Sequence, residues 1–202
     1  MKSEAQDGAV RASELTPGAR LKAARLIQSA LPGYYEAMGL EGADAVVTSE
    51  FGASGCELEN CDAFIDAGAV LGVLCTYPMT ELAERQYRSV QLVARTLSGD
   101  QYRSFAANLR DLRSGLPAVE GDGTYLAFIA VAAEAKGSGL ANRVMNTAIS
   151  SAGEGPLLLT VRNDNARAQA FYARHGFAVA AKGERFSLLR RDGNPDGLTA
   201  TA

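Results

Sequence analysis

Apolar positions along this chain recur at two spacings, one helical and one extended, and the order in which the two alternate predicts an α/β architecture. Ala9 to Glu14 reads as a first strand. From Thr16-Pro17 the period turns helical: Leu21, Ala24 and Ile27 repeat on one side, with Leu26 and Ala30 widening the stripe. Thr16 suits an N-cap, and Pro17 suits the first helical position, where its missing N–H costs nothing. Pro32-Gly33 breaks this helix, and Tyr34 to Met38 reads as a short second helix stopped at Gly39. Residues 43–58 fit a helix or a strand equally well. Ala63 to Asp66 and Ala69 to Tyr77 read as strands joined by a turn at Ala67-Gly68.

From Met79 to Arg113 the pattern is again helical, in two pieces split at Ser98-Gly99-Asp100. Leu82, Tyr87, Val90, Val93 and Leu97 form the expected apolar side of the first piece; Phe105, Leu109 and Leu112 form that of the second. Thr124 to Val131 is too continuously apolar for a half-exposed strand, which places it in the middle of a sheet. Leu140 to Ile149 reads as a helix, Leu157 to Val161 as a strand and Asn165 to Arg174 as a helix. Phe177 to Ala180 and Arg185 to Leu189 read as a closing hairpin. The outcome is a mixed sheet with helices around it. Residues 9–191 are expected to form one domain between mobile polar tails at 1–8 and 192–202.

Composition narrows the function. The 202 residues are 47% hydrophobic and 21% charged, enough for a real core, with a formal net charge of −3 and the two signs interspersed. A nucleic-acid binder would concentrate basic residues on one face, and this chain does not. No apolar run reaches bilayer length, so a membrane span is not expected, and no signal-like stretch opens the chain. A cytoplasmic location follows as the default expectation. Three cysteines, Cys56, Cys61 and Cys75, read as reduced thiols rather than a disulfide framework. Cys56 and Cys61 lack a second Cys/His pair, so no metal is expected.

Two stretches carry chemistry. In the first, the apolar run ending at Val131 leads through Ala132 to Ala135 into Lys136-Gly137-Ser138-Gly139-Leu140-Ala141 and then a helix. The first N–H groups of a helix have no internal partner, and the helix dipole adds partial positive charge there. Glycines keep side chains out of the way, so the turn can cradle a pyrophosphate on main-chain amides. Gly139-Leu140-Ala141 stands where a Walker A loop needs Gly-Lys-Ser/Thr, and Asn142 stands where a dinucleotide fingerprint needs its third glycine. In the second stretch, Asn165 precedes Tyr172 by seven residues on a helix that ends at Gly176-Phe177, with Ala168 and Phe171 on the same face.

Together, in this order, the two stretches resemble the acyl-CoA-binding core of the GCN5-related N-acetyltransferases (GNAT). That family's cradle runs Gln or Arg, two residues, Gly, one residue, then Gly or Ala. Lys136, Gly139 and Ala141 match it with lysine in first place, which keeps the charge but loses arginine's bidentate fork. The resemblance is specific over residues 124–191 and looser over 9–78. It implies a GNAT-like fold, a central mixed and mostly antiparallel β-sheet flanked by helices, here with a helical insertion around 79–113. It also implies acetyl-CoA as acyl donor, held by the backbone of Ile129, Ala130 and Val131, by residues 136–141, by Asn165 and by Tyr172, with Tyr172 as the acid beside the sulfur. The implied reaction is direct acetyl transfer to a primary amine, in a small molecule, peptide or protein, without a metal.

Several alternatives stay open. Transfer of a longer acyl group and a non-catalytic acyl-CoA-binding module both remain, although retention of Tyr172 favours an enzyme. The base could be Glu120, Asp122, Glu50, Glu57 or Asp66. The stretch 79–113 either caps the acceptor pocket or packs against a second subunit in a homodimer. Its arginines, Arg85, Arg88, Arg103 and Arg110, read first as a solvated face. His175 reads as a complement to the helix dipole rather than a base.

Overall fold

The computed structural model describes residues 9–30 and 43–193. The expected helix at 34–38, the N-terminal tail and most of the C-terminal tail lie outside the described residues. Strand β1 (Ala9–Arg11) runs through a 3-10 turn into α1 (Pro17–Ala30), and Thr16 caps that helix through its hydroxyl to the N–H of Ala19 at 3.4 Å. Helix α2 (Ala43–Glu50) makes the first half of the ambiguous stretch helical, and residues 51–58 are turns and bends; Val47 within the helix and Phe51 just after it are fully buried. Strands β2 (Asp62–Asp66) and β3 (Ala69–Pro78) form a tight hairpin whose turn places Ala67 and Gly68 at φ of 47° and 79°. Such a two-residue turn matches the twist of the strands it joins.

Two helices follow, α3 (Leu82–Thr96) and α4 (Gly99–Ser114), divided where Ser98-Gly99 interrupts the pattern. The buried side of α3 differs from the one predicted. Leu82 and Val93 are buried, but Arg85 and Ser89 lie between them, while Tyr87 is 58% exposed. Polar partners cause the difference: Arg85 donates to the Cys56 carbonyl at 2.7 Å, and Ser89 accepts from the Glu57 N–H at 2.9 Å. Val46, Val93 and Phe105 make a small core of their own that joins α2, α3 and α4.

Strand β4 (Thr124–Val131) leads to α5 (Leu140–Ala152), β5 (Leu157–Arg162), α6 (Ala166–Arg174), and the hairpin β6 (Ala178–Lys182) and β7 (Phe186–Arg191). The seven strands are ordered β1-β2-β3-β4-β5-β7-β6, and every neighbouring pair is antiparallel except β4–β5. Helix α1 packs on one face of β3 and β4, and α5 on the other. As predicted, β4 is the central strand.

The parallel pair decides where a ligand can enter. Strands β4 and β5 are registered only at Thr124↔Leu157 and Tyr125↔Leu158. Immediately beyond, the β3–β4 register passes from Thr76↔Leu126 to Cys75↔Phe128, so Ala127 is an extra residue in β4. A bulge bends its strand and strengthens its twist. The bend falls where pairing with β5 stops, and the two strands open into a wedge.

Candidate active site

The wedge presents residues 126–131 as a strand edge. Peptide groups alternate sides along a strand, and on its other side β4 is fully paired, Ile129, Ala130 and Val131 opposite Leu74, Val73 and Gly72. The groups facing β5 are left for something other than the sheet, the situation in which an extended polar ligand can pair as an added strand.

At the wide end of the wedge lies the glycine turn. Ala133–Ala135 form a 3-10 turn, and Gly137 and Gly139 sit at φ of 84° and 82°. No atom would crowd a Cβ at either position, so it is backbone conformation rather than space that requires glycine. Gly139 is the N-cap of α5, and its carbonyl accepts from Asn142 and Arg143. Ser138 is committed to the turn itself: its hydroxyl donates to the Ala135 carbonyl at 2.7 Å and accepts from the Leu140 N–H at 3.2 Å. Leu140 buries its side chain beneath the turn. Among the described residues no partner is found for the N–H groups of Gly137, Gly139 and Ala141. Those three donors at a helix start, with Lys136 exposed beside them, suit an anion such as a diphosphate.

At the narrow end stands Tyr172, held by a helix that is fixed at both termini. Asn165 caps α6, its side-chain oxygen accepting from the Ala168 N–H at 3.0 Å, which leaves its amide nitrogen as a donor. At the other end Gly176 takes a φ of 84°, Phe177 N–H reaches the Tyr172 carbonyl at 3.1 Å, and Gly176 N–H reaches that of Ala173. This is a Schellman closure, and its usual apolar contact is made by the rings of Tyr172 and Phe177, 5.7 Å apart. Burial, with the phenol of Tyr125 nearby, pushes the Tyr172 pKa up to about 12. His175 is the C-cap residue, its ring tilted against that of Phe171 and its Nδ1 2.9 Å from the Phe171 carbonyl, a position at the helix end.

Tyr125 and Thr160 were not singled out by sequence, yet they join β4 to β5 at the apex through a 2.9 Å hydrogen bond between their hydroxyls. They also floor a cavity of about 350 Å³. Met79, Leu82 and Gln86 close one side of it, and Leu116, Pro117 and Val119 the other. The inserted helices therefore contribute both their entry and their exit to its walls. Beneath it Tyr77 packs against Tyr125 with ring centres 5.8 Å apart and donates to Glu57 Oε1 at 2.7 Å. Burial raises the pKa of Glu57, and the bonds from Tyr77 and the Gln86 amide oppose that rise. Of the acids considered as base, Glu57 stands against this site. Glu120, Asp122 and Asp66 are exposed and do not line the cavity, and Glu50 is buried behind Ser89. Arg88 and Arg103 pair with Glu84 and Asp100, and none of the four arginines lines the cavity.

Residues 61–177 match the Acetyltransferase (GNAT) family, and this chain belongs to it. The family is one of acetyltransferases that take acetyl groups from acetyl-CoA. A 5-NmdU N-acetyltransferase of Pseudomonas phage PaMx11 is 40% identical over 70 residues, a match that spans 33% of this chain and 50% of the phage protein. The fold is shared with an N-acetyltransferase from Staphylococcus aureus Mu50, at a TM-score of 0.66 and 14% identity over 87% of this chain and 96% of that one. It is shared too with Ard1 from Thermoplasma volcanium, at 0.53 and 16% over 89% and 95%.

Proposed function

We propose that the protein transfers the acetyl group of acetyl-CoA directly to a primary amine in a ternary complex. The observation that carries this reading is the wedge between β4 and β5, with free amides at its wide end and a buried phenol and a cavity at its apex. The diphosphate rests on the amides of Gly137, Gly139 and Ala141 with Lys136 alongside. The pantetheine arm pairs with the backbone of Ile129 to Val131, and the Asn165 amide donates to the cofactor. The acceptor amine occupies the cavity over Tyr125 and Thr160.

Acetyl-CoA supplies a thioester whose sulfur leaves as the amine attacks. Fixing the two reactants in line supplies much of the acceleration, since well-oriented partners behave as if at very high local concentration. Tyr172 stays protonated at any working pH. With a pKa of about 12 it is a weaker acid than an ordinary thiol, whose value lies near 8.5. Its part is therefore to donate a hydrogen bond to the charge growing on sulfur while keeping its own proton; the thiolate is neutralised by the proton that the free amine's nitrogen loses as it is acylated.

Calorimetric titration with acetyl-CoA and a thiol-release assay across a panel of amines test the reading together. Binding with turnover supports it, binding without turnover across a broad panel favours a sensing module, and no binding by folded protein refutes it. The similarity to the phage enzyme puts 5-NmdU on that panel.

A further inference from the structure

The cavity over Tyr125 and Thr160 has neutral walls but a negative backing. Among the described residues that line it none is charged; Leu82, Leu116 and Val119 are apolar, and Thr80, Gln86 and Thr160 are polar without charge. Behind Gln86 and Tyr125 the carboxylates outnumber the cations that face them. Arg85 divides its single charge between Glu81 at 2.7 Å and Glu59 at 3.3 Å. Glu57 bonds to neutral partners only, Tyr77 and Gln86, while Arg113 and Arg85 act on it without a hydrogen bond. Glu50, buried at 5% exposure, faces Glu57, has one oxygen with no hydrogen-bond partner, and adds its own charge only above its raised pKa of about 7. A field of this sign draws a cation into the cavity and repels an anion, most strongly where water is excluded. The uncharged walls offer no counter-charge to a second charged group, which would lose its hydration without full replacement. The volume of about 350 Å³ sits at the small end of ligand pockets, which run from ~300 to ~1,000 Å³.

We propose that the acceptor is a monoamine, a primary ammonium on a small, uncharged and largely apolar body, and that Glu57 is the counter-charge that draws this ammonium to the apex, where it gives up one proton to water before its nitrogen attacks. The inference rests on the reading of the cavity as the acceptor site. Glu57 is a positioning residue here: it acts through the field behind Gln86 and Tyr125.

Thiol release is measured with 2-phenylethylamine, O-phosphoethanolamine and spermidine, on the wild type and on Glu57→Gln. For the wild type, kcat/KM is expected to be at least about tenfold higher with the arylalkylamine than with the anionic or the polycationic acceptor. Glu57→Gln should raise the amine KM by about tenfold and leave the calorimetric Kd of acetyl-CoA unchanged. It should also remove a pH dependence. The groups facing Glu57 are Cys75 and Tyr77 of β3, Arg85 of α3, Arg113 of α4, Tyr125 of β4 and Glu50 of α2. In the wild type the amine KM rises as pH falls through the elevated Glu57 pKa, and in the glutamine variant that limb is flat. Should Glu57→Gln fold poorly, Ala83→Lys at the exposed edge of the cavity makes the same test by adding a cation, and amine kcat/KM should fall while acetyl-CoA affinity holds. Faster turnover of the phosphorylated or polycationic acceptor, or an unchanged amine KM in these variants, overturns the monoamine assignment and leaves acetyl transfer standing. Loss of acetyl-CoA binding by the wild type overturns both.

Discussion

Tyr172 shows how much conformational control one side chain requires. Its ring is held between Phe171 and Phe177, its backbone carbonyl closes the helix cap, and its phenol is kept neutral by burial. Removing the hydroxyl should therefore change chemistry without changing structure. Tyr172→Phe is expected to lower kcat by about 10²-fold, with the calorimetric Kd of acetyl-CoA unchanged and the same melting temperature within a degree or so. Equal losses in kcat and affinity would make Tyr172 a packing residue. The family resemblance made this residue legible in the sequence, and the caps that hold it are local: Asn165, Gly176 and Phe177 all lie within one helix length of it. Tyr125 and Thr160 were illegible for the opposite reason. Their hydrogen bond joins residues 35 positions apart, and nothing in either strand marks a tyrosine or threonine that will face a cavity.

At the scale of elements, the glycine turn and the inserted helices carry separate duties that substitution can divide. The turn needs φ near 80° at Gly139, in a place with room for a Cβ. Gly139→Ala should then cost about 1 kcal/mol of stability through backbone strain, seen in urea denaturation, with acetyl-CoA still bound. Gly139→Glu adds a carboxylate at the diphosphate site and should weaken acetyl-CoA by at least about 100-fold; unchanged affinity would refute the cradle. Helix α3 and the loop that follows α4 border the cavity and not the turn, so Leu116→Ala should alter the order of preferred acceptors and leave the acetyl-CoA Kd alone. The helical stretch itself was predicted from its period. Its inward face was not, because Arg85 and Ser89 are drawn in by loop residues 56–59, which no periodicity within α3 reveals.

The whole molecule holds a buried acid at a cost that depends on pH. Burial pushes Glu50 up to about 7, Ser89 relieves it by hydrogen bonding, and the Glu57 charge adds to the rise. Between the ordinary glutamate value and about 7, the folded chain retains a proton at Glu50 that the unfolded chain has released. Stability therefore falls as pH rises through that window. Glu50→Gln should flatten the dependence between about pH 5 and pH 7, and raise unfolding free energy by about 2 kcal/mol at neutral pH and above. Urea midpoints measured across this range check it, and parallel curves for the two proteins would refute it. Glu57, the proposed counter-charge of the cavity, adds to the rise at Glu50, so the proposed acceptor site and the stability of the fold are linked through one pair of acids.

By itself the sequence determined most of the elements and marked the glycine turn as the place where a donor is expected, since helix caps, turns and strand runs are set by neighbours a few residues apart and the glycine turn is one such local feature. Only the tertiary structure decided that Ala127 bulges β4 away from β5, that the apex opens on a cavity walled by residues near 80 and 116–119, and that Glu57 lies behind it. These features depend on which strands lie side by side and on which polar groups lose their water together. Both are properties of packing between distant segments, and a local pattern does not encode them.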